Sequence, residues 1–567
     1  MKKIDNYEIY DFIKTLIKTR LDCGENLLKL TEFNNTCMWW TADTLFCDFF
    51  LKRKLNGQDP NAVRLNNNLL LKLAFNSNFI ILYKYIGIYI LFIYNLLLKS
   101  IISIVVRSRD ISRNPKSANR ILFVSQDTQW KSVITKNGSR KTDLFFDQIL
   151  LGLSETGFEP IGINLIYLNP IIGLKVFIDK NKNWAFQQEC LNMYWTINAF
   201  LSEVNALKYF DKKWEFLAND KKFRDLCCIE GLNLYDEILM ELRIYFYILF
   251  PFLIQQIEMC RLLIRDKKPR LMILLAGSFW WERAIVIAAK LERIPTLAIQ
   301  HGVFSGDNKS YMYTEDEISR GGSIEYPYCQ IPDRFAVFGN YYKELLTEFS
   351  AYPESSVIVT GSPKYDHLVK SDFPYSKDDF LAKFGIPSYY KIILWTTQCH
   401  DLDDSENIRN LSCISASIKS LDNALLIIRQ HPNETKEHTK RIHDYIQKYQ
   451  LKALLMPRTL DIYELLYSCD LLMTKHSTTA VEALILDKPV LILNLSGRPD
   501  VIDFVKEGVA KGVYDEDDLE DTIKSLLAND SDLKKMRPRY LYKYLYNKDG
   551  NATARVIELI KEIAKKD

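Results

Sequence analysis

The sequence of residues 471–493 is LLMTKHSTTAVEALILDKPVLIL. It consists of two short apolar runs, Leu471–Thr474 and Val490–Leu493, on either side of a segment whose apolar residues have helical spacing. A strand, a helix and a second strand in this order are typical of a parallel sheet covered by helices. The stretch therefore predicts an α/β fold.

The same alternation continues in both directions along the chain. It predicts a Rossmann-like parallel-sheet domain over residues 117–372, with a helical insertion, and a second over residues 373–567. Helices are predicted at Asp143–Thr156 and Trp280–Leu291, and residues 1–116 are predicted to form a helical N-terminal region. The other predicted strands are Ile121–Ser125, Pro160–Leu165, Leu271–Leu275, Thr296–Ile299, Arg334–Phe338, Val357–Thr360, Lys391–Trp395, Ala424–Ile428 and Ala453–Met456.

Composition excludes several classes of function. The chain has 567 residues, 48% of them hydrophobic, so it is long enough for two cores. Lys and Arg number 74 against 71 Asp and Glu, and this balance gives no field that would attract nucleic acid. The eleven cysteines show no metal-ligand spacing. No secretory signal fits the polar first ten residues, so a cytoplasmic location is expected.

An apolar segment, Phe79–Val106, complicates this expectation. Its longest charge-free run, Tyr85–Leu98, has 14 residues, whereas a membrane-spanning helix needs about 20. Basic residues follow it directly, and an apolar helix with a basic flank suits the surface of an anionic membrane. Three hypotheses stay open: a buried packing helix, an interfacial anchor and a true span. The basic residues are Arg107, Arg109, Arg113, Lys116 and Arg120.

Ligands of open parallel sheets bind beyond the carboxyl ends of the strands, and the first candidate site follows the strand Leu471–Thr474. A helix is predicted to begin near Ser477 or Thr478. The free amides of its first turn, with the hydroxyls of Ser477, Thr478 and Thr479, can hold a nucleotide phosphate. Lys475 can add positive charge, and Glu482 can accept from both hydroxyls of a ribose. The alternative is an ordinary capped helix.

Two histidines also follow predicted strands. His431 lies in the sequence Arg-Gln-His-Pro-Asn-Glu after Ala424–Ile428, where its imidazole can donate to a leaving phosphate. His301 precedes Gly302 after Thr296–Ile299, and it can remove a proton from an acceptor hydroxyl while the glycine allows close approach of a ligand. The alternatives are a strand-ending turn for the first and a structural histidine for the second.

Two acids near His301 are secondary candidates. Glu282 lies at the start of the predicted helix Trp280–Leu291, and Asp307 follows His301 closely in sequence. Either can orient the histidine or serve as the base itself. The strand Val357–Thr360 leads into another candidate, Gly361, in the sequence Gly-Ser-Pro-Lys-Tyr-Asp.

Together these residues resemble the GT-B transferases that make surface polymers, in particular CDP-glycerol glycerophosphotransferases and the sialyl- and Kdo-transferases of capsules. The resemblance covers residues 270–500. It implies two Rossmann-like domains that face a cleft, with His301 in the first domain and His431, Ser477 and Thr478 in the second forming the site. The chain lacks the paired-acid motif and the tryptophan before His301 that some members have.

The resemblance implies a transferase that moves a group from a nucleotide-activated donor, preferably a cytidine nucleotide, to a glycan or lipid-linked acceptor in the cell envelope. No metal or other cofactor is expected, because imidazoles, hydroxyls and a helix N-terminus can offset phosphate charge. The run Asp401–Asp404 is interpreted as a solvated turn. The enzyme is expected in the cytoplasm, with peripheral contact to the inner face of the membrane.

Two rival hypotheses stand beside this one. Residues 359–366 and the block around Glu482 also resemble the non-hydrolysing UDP-N-acetylglucosamine 2-epimerases, which share the fold. That activity needs several acids in the cleft, and the full set is not found. The second rival is a non-catalytic GT-B scaffold that binds a nucleotide sugar or a partner enzyme.

Overall fold

The computed structural model describes residues 6–56, 88–107, 119–124, 129–135, 138–143, 145–165, 170–184, 186–229, 231–306, 308, 310–318, 329–370, 375–398, 402, 404–431 and 434–565. In these ranges the chain forms two parallel sheets surrounded by helices, three short antiparallel hairpins and an N-terminal group of helices. The predicted fold class is confirmed.

The helices are α1 Asn6–Lys18, α2 Leu27–Leu30, α3 Trp39–Asn56, α4 Ile88–Arg107, α5 Asp147–Glu155, α6 Pro170–Asn183, α7 Ile197–Asn219, α8 Lys221–Leu226, α9 Tyr235–Ile244, α10 Phe250–Lys267, α11 Trp280–Leu291, α12 Glu315–Ile318, α13 Asn340–Glu348, α14 Asp366–Val369, α15 Lys377–Lys383, α16 Asp404–Lys419, α17 Lys436–Tyr449, α18 Ile462–Ser468, α19 Thr479–Ile485, α20 Leu519–Ala528, α21 Ser531–Leu545 and α22 Ala552–Lys565.

The strands are β1 Glu32–Phe33, β2 Thr36–Cys37, β3 Arg120–Val124, β4 Trp130–Thr135, β5 Gly138–Asp143, β6 Glu159–Asn164, β7 Gln187–Cys190, β8 Cys228–Ile229, β9 Leu232–Asn233, β10 Leu271–Leu275, β11 Thr296–Ile299, β12 Arg334–Val337, β13 Val357–Val359, β14 Lys391–Thr396, β15 Ala424–Arg429, β16 Ala453–Leu455, β17 Leu471–Thr474, β18 Val490–Leu493 and β19 Lys511–Val513.

Both sheets have the strand order of a Rossmann fold. The first has seven strands in the order β13-β12-β11-β10-β3-β6-β7, and the second has six in the order β16-β15-β14-β17-β18-β19. All neighbouring strands in both sheets are parallel. The order reverses between β3 and β10 in the first sheet and between β14 and β17 in the second. Ligands of such sheets bind beside these reversal points.

The predicted strands that match best are apolar runs buried on both faces. Every residue of β10, β11, β17 and β18 is buried. A parallel strand covered by helices on both sides has no solvent face, so a continuous apolar run predicts it well. For these four strands and for α11, the observed bounds coincide with the predicted ones.

One local prediction was wrong and two strands were missed. The helix predicted from Asp143 begins at Asp147, because Asp143 belongs to β5, which pairs with β4. The helix predicted to begin near Ser477 or Thr478 begins at Thr479 with Thr478 as its N-cap, so that prediction is confirmed. The strands β7 and β19 at the far edges of the two sheets were not predicted. Their sequences, QQEC and KGV, lack the apolar run that marks a central strand.

Helix α4 covers the described part of the apolar segment Phe79–Val106. Its buried residues Leu98 and Ile102 pack against Phe177 of α6 and Cys190 of β7. Another side of the helix is exposed, with Ile104 68% exposed. None of the helices in the described ranges has the length and apolar character needed to cross a membrane.

The end of the chain returns to the first sheet. Helix α22 packs against α5 and β10. The carboxylate of Asp366 caps α22 by accepting hydrogen bonds from the amides of Ala552 at 3.0 Å and Thr553 at 2.7 Å. The predicted boundary between residues 372 and 373 lies outside the described residues, and the C-terminal helices pack on elements that precede it.

Candidate functional site

The reversal point of the second sheet brings together the polar residues that follow β14 and β17. The hydroxyls of Thr396 and Thr479 lie 3.3 Å apart, and Gln398 Nε2 donates to the hydroxyl of Thr474 at 3.5 Å. Ser477, Thr478 and Thr479 are half-buried at this edge. The predicted hydroxyl cluster therefore lies where the strand order places a ligand crevice.

The first turn of α19 is tied locally. Ser477 Oγ accepts from the backbone amide of Thr479 at 3.2 Å. The side chain of Thr478, the residue before the helix, makes no capping hydrogen bond to it. The helix has only seven residues, so its dipole is small. Phosphate binding here stays a prediction that rests mainly on hydroxyls and amides rather than on a long helix.

Lys475 extends toward the neighbouring strand. It is buried, and its Nζ donates to Ser496 Oγ at 3.1 Å in the loop after β18. Ser496 in turn donates to Asn494 Oδ1 at 2.7 Å. The charge of Lys475 is thus placed between the ends of β17 and β18, and this arrangement does not direct it over the hydroxyls of Ser477 and Thr478.

A cluster of buried polar side chains holds the backbone of His431. Its amide donates to Thr397 Oγ1 at 3.1 Å, and Thr397 donates to the carboxylate of Glu434. Gln430 Nε2 donates to the same carboxylate at 2.8 Å, and His438 Nδ1 lies 2.9 Å from it. Burial alone would raise the pKa of Glu434, but these contacts hold it below its usual range. An ionised carboxylate therefore anchors the loop that carries His431.

His301 lies at the carboxyl end of β11, beside the reversal point of the first sheet. Its ring stacks on Phe145 with centroids 5.5 Å apart, and the ring of Phe279 meets it edge-on at 6.0 Å. Gln129 Nε2 lies 3.4 Å from His301 Nε2. Burial, and next the positive charge of Lys364, lower the pKa of His301 to about 4. The imidazole is therefore neutral at physiological pH.

Glu282 is fully buried beneath the turn after β10. Its two carboxylate oxygens accept from the amides of Leu275 at 3.0 Å and Gly277 at 2.7 Å. Ala276 and Gly277 in this turn have φ of +81° and +69°, and an L-residue such as Ala276 rarely adopts such a value. The geometry assigns Glu282 to holding this turn, which leads into Phe279, rather than to proton transfer. The other secondary acid, Asp307, lies outside the described residues.

The two candidate glycines have different surroundings. Among the described residues, no atom would lie within 4 Å of a Cβ added to Gly302, so the space that they leave beside it is open to a ligand. Gly361 has φ +80°, and a Cβ there would lie 3.0 Å from Ala552 Cβ and 3.1 Å from Arg555 Nη2. Gly361 therefore permits a close contact with α22, and its role is structural.

An ion pair joins the two halves of the site. Lys364 Nζ, in the loop after β13, lies 2.8 Å from Glu482 Oε1 on α19, and both side chains are largely buried. The hydroxyl of Tyr463 donates to the same oxygen at 3.4 Å. Lys364 also lies 6.0 Å from the ring centroid of Phe145, which stacks on His301. The structure thus links His301 and Glu482 through one lysine.

The sequence-family comparison adds independent evidence. The family model for CDP-glycerol:poly(glycerophosphate) glycerophosphotransferase matches residues 288–562. This region, just under half of the chain, is similar to that glycerophosphotransferase family. The chain is a transferase. The matched region includes His301, Lys364, His431, Ser477 and Glu482, and it omits the N-terminal helices and the first strands of the first sheet.

No curated protein sequence matches the chain. Similar solved structures include the wall teichoic acid polymerase TagF, with 13% identity, 79% of this chain and 89% of that chain covered and a TM-score of 0.42. A glycosyltransferase from Rickettsia africae has 13% identity, coverage of 79% and 99% and a TM-score of 0.45. The UDP-GlcNAc 2-epimerase from Neisseria meningitidis bound to UDP-GlcNAc has 16% identity, coverage of 78% and 100% and a TM-score of 0.46.

Several residues in the transferase site were not predicted. Phe145, Gln129 and Thr397 lie in loops where no motif marks them. Lys364 was quoted within residues 359–366, but only as part of a family resemblance. Glu434 stood in the quoted sequence around His431 without a role, because a carboxylate that bonds the side chains of Thr397, Gln430 and His438 leaves no local pattern.

Metal binding has no structural candidate in the part of the chain that the structure describes. No group of three or more His, Cys, Asp or Glu residues there could hold an ion. Asp401 and Asp403 lie outside the described residues, and Asp404 begins α16. The expectation that no metal is required stays a prediction.

Proposed function

We propose that this transferase moves a group from a nucleotide-activated donor, with a cytidine nucleotide favoured, to a glycan or lipid-linked acceptor of a surface polymer. The observation that carries the proposal is the convergence of His301, Lys364 and Glu482 between the carboxyl ends of two Rossmann-type sheets, inside the region of the family match. A cleft of this kind holds a donor against one sheet and an acceptor against the other.

On the donor side, the second sheet holds the nucleotide. The hydroxyls of Ser477, Thr478 and Thr479 at the end of β17 bind its phosphates. Among the described residues, the side-chain contacts of Glu482 with Lys364 and Tyr463 both use Oε1, so Oε2 can accept from a ribose hydroxyl. His431, on the loop anchored by Glu434, donates to the phosphate that leaves. Negative charge grows on this phosphate in the transition state, where a positioned donor stabilises it most.

On the acceptor side, His301 removes the proton from the attacking hydroxyl. A base must be neutral before it acts, and the lowered pKa of His301 meets this condition. The negative phosphates of a bound donor would oppose the effect of Lys364 and strengthen the base when the substrate is in place. The stacked ring of Phe145 and the edge of Phe279 restrict the rotation of the imidazole.

Contact with a membrane fits the N-terminal helices. Large apolar side chains on α4 are exposed, with Ile93 57% and Leu97 60% exposed, and Ile197 at the start of α7 is 63% exposed. Phe92 of α4 packs against Trp195 and Phe200, so the two helices lie side by side. A continuous apolar face of this kind can rest in the interface of a bilayer that carries a lipid-linked acceptor. The enzyme would then work at the inner face of the cell membrane.

Calorimetry with CMP, CDP, UDP and GDP tests the donor site. We expect one nucleotide to bind, and the substitutions His431→Ala and Ser477→Ala to weaken its binding by about tenfold or more. Transfer of a labelled group from the matching donor should then be unaffected by a chelator. If no nucleotide binds to the folded wild-type chain, the transferase proposal is wrong and the scaffold hypothesis gains support.

The same donor assay distinguishes the epimerase hypothesis from the transferase proposal. The Lys364–Glu482 ion pair joins the two segments on which that resemblance rested, so the hypothesis keeps one structural observation in its favour. An epimerase would convert UDP-N-acetylglucosamine without any acceptor. Appearance of the epimer in the absence of an acceptor, with UDP as the tightest nucleotide, would replace the transferase proposal.

Flotation with anionic vesicles tests membrane contact. We expect the wild-type chain to float with vesicles of phosphatidylglycerol and phosphatidylcholine, and a Leu97→Glu/Ile104→Glu variant to lose most of this binding. The exposed Phe349, on the C-terminal side of α13, provides a control as Phe349→Glu. Equal flotation of all three proteins would contradict the assignment of this face.

A further inference from the structure

Lys364 lies in a loop that is fixed at both ends. Gly361, at the start of the loop, packs against α22, and Asp366, at its end, caps the same helix. Arg555 Nε of α22 also donates to the carbonyl of Thr360 at 2.7 Å. The backbone around Lys364 is therefore held by the C-terminal helix, and the ammonium group is presented to the cleft from a rigid support.

Two neighbours of the Lys364 ammonium belong to the candidate site. It contacts Glu482 directly, at 2.8 Å. On another side it lies 6.0 Å from the ring of Phe145, whose other neighbour in the site is His301, with ring centroids 5.5 Å apart. The Lys364 side chain is only 18% exposed, so solvent screens its field weakly. A change at this one lysine would reach both the donor side and the acceptor side.

We propose that Lys364 is a positioning residue for the transfer, which holds the donor-side carboxylate of Glu482 in place and sets a positive charge beside the Phe145 ring on which His301 stacks. The inference rests on the proposed function. It adds to that function, because both the donor side and the acceptor side of the cleft would then depend on one cation. Lys364 acts through its neighbours and exchanges no proton with the substrate.

The surroundings of His301 single out this lysine. Among the described residues, four elements contact or face the imidazole: the segment before β4 with Gln129, the segment before α5 with Phe145, the segment before α11 with Phe279, and the loop after β13 with Lys364. The first three present neutral side chains. Lys364 is the charged group among these four, and Glu482 lies beyond it as its counter-ion.

The two halves of the role can be measured separately in a Lys364→Met variant. Nucleotide affinity reports on Glu482, and we expect a loss of about tenfold because the buried carboxylate loses its partner. The acid limb of the pH profile of kcat/KM reports on the imidazole of the free enzyme. Without the nearby positive charge, His301 should take up its proton at a higher pH, so this limb should move to higher pH.

Further variants serve as controls. Lys364→Arg keeps a positive charge and should keep the acid limb near its wild-type position. Lys343→Met removes a half-buried lysine of α13, paired with the exposed Glu354 at 3.3 Å, and should change neither readout. If Lys364→Met fails to fold, the double variant Lys364→Met/Glu482→Gln removes both buried charges and should still show the shifted limb.

The outcomes separate this inference from the proposed function. A wild-type chain that binds no nucleotide overturns both. A wild-type chain that binds and transfers, with Lys364→Met showing the same acid limb and the same nucleotide affinity, overturns only the role of Lys364. A shifted limb together with weakened binding, both absent from Lys343→Met, supports the role.

Discussion

The backbone amide of His431 donates to the hydroxyl of Thr397, with a distance of 3.1 Å between nitrogen and oxygen. Thr397 is itself bonded to the buried carboxylate of Glu434. Strand β14 therefore sets the position of a loop that follows the neighbouring strand β15. A side chain with no predicted role thus controls the placement of a predicted catalytic histidine.

Replacing Thr397 by valine should impair the transfer more than the fold. The substitution keeps the shape but removes the hydroxyl, so His431 loses its support and Glu434 loses a donor. We expect a fall in kcat of about tenfold to a hundredfold, typical of a displaced catalytic group, and a loss of about 1–3 kcal/mol in unfolding free energy. Thr347→Val, on the surface of α13, is the matched control. Unchanged kcat in Thr397→Val would show that the loop is held by other contacts.

The structural role of Gly361 can be tested by stability, with Gly385 as a control. Gly361→Ala combines a left-handed backbone with contact to α22, so we expect a loss of about 2–4 kcal/mol in unfolding free energy. Gly385 also has a positive φ, +64°, but no atom of the described residues lies within 4 Å of an added Cβ. Gly385→Ala should therefore cost only about 1 kcal/mol. Urea denaturation of both variants measures the difference, and equal losses would mean that the contact with α22 relaxes freely.

Gly302 should show the opposite behaviour. Because a Cβ at this position meets open space, Gly302→Val should leave the melting temperature nearly unchanged. The added side chain would occupy space beside His301 that a substrate needs. We expect kcat/KM to fall by about tenfold or more. A variant with full activity would place the substrate elsewhere.

Acid should destabilise the fold through two histidines. Burial, and next the charge of Lys364, lower the pKa of His301 and of His367 from 6.5 to about 4. Between these pH values the unfolded chain binds protons that the folded chain does not, so stability is lost as pH falls from about 6.5 toward about 4. We expect His367→Gln to lose less unfolding free energy than the wild type between pH values of about 7 and 5. The control is His443→Gln at an exposed histidine of α17, and an equal reduction in that variant would contradict the assignment.

The central strands could be predicted from sequence because burial on both faces leaves a continuous apolar run, as in Leu271–Leu275 and Leu471–Thr474. Polar edge strands such as Gln187–Cys190 carry no such pattern. The same contrast holds for the site. His301, His431 and Ser477 directly follow strands, where ligands of parallel sheets bind, so position along the chain indicated them.

Lys364 and Thr397 could not be assigned their roles in this way. Each contacts a residue far away in the sequence, and neither contact follows from a local pattern. Glu282 is the opposite case, a residue that the sequence indicates for catalysis and the structure uses to hold a turn. Its place at a helix start after a strand is that of a catalytic acid, but the strained turn at Ala276 and Gly277 uses both of its oxygens. Backbone strain of this kind is invisible in sequence.

The return of α22 to the first sheet has a consequence for anyone who exchanges parts between such transferases. The order of segments along the chain differs from their grouping in space, because the last helix belongs to the half that begins the fold. A chimera that swaps the acceptor half by a single cut near residue 372 would pair Asp366 and Gly361 with a foreign helix. The loop would then place Lys364 at a different position relative to the donor site. An exchange of acceptor specificity should therefore carry residues 552–565 with it.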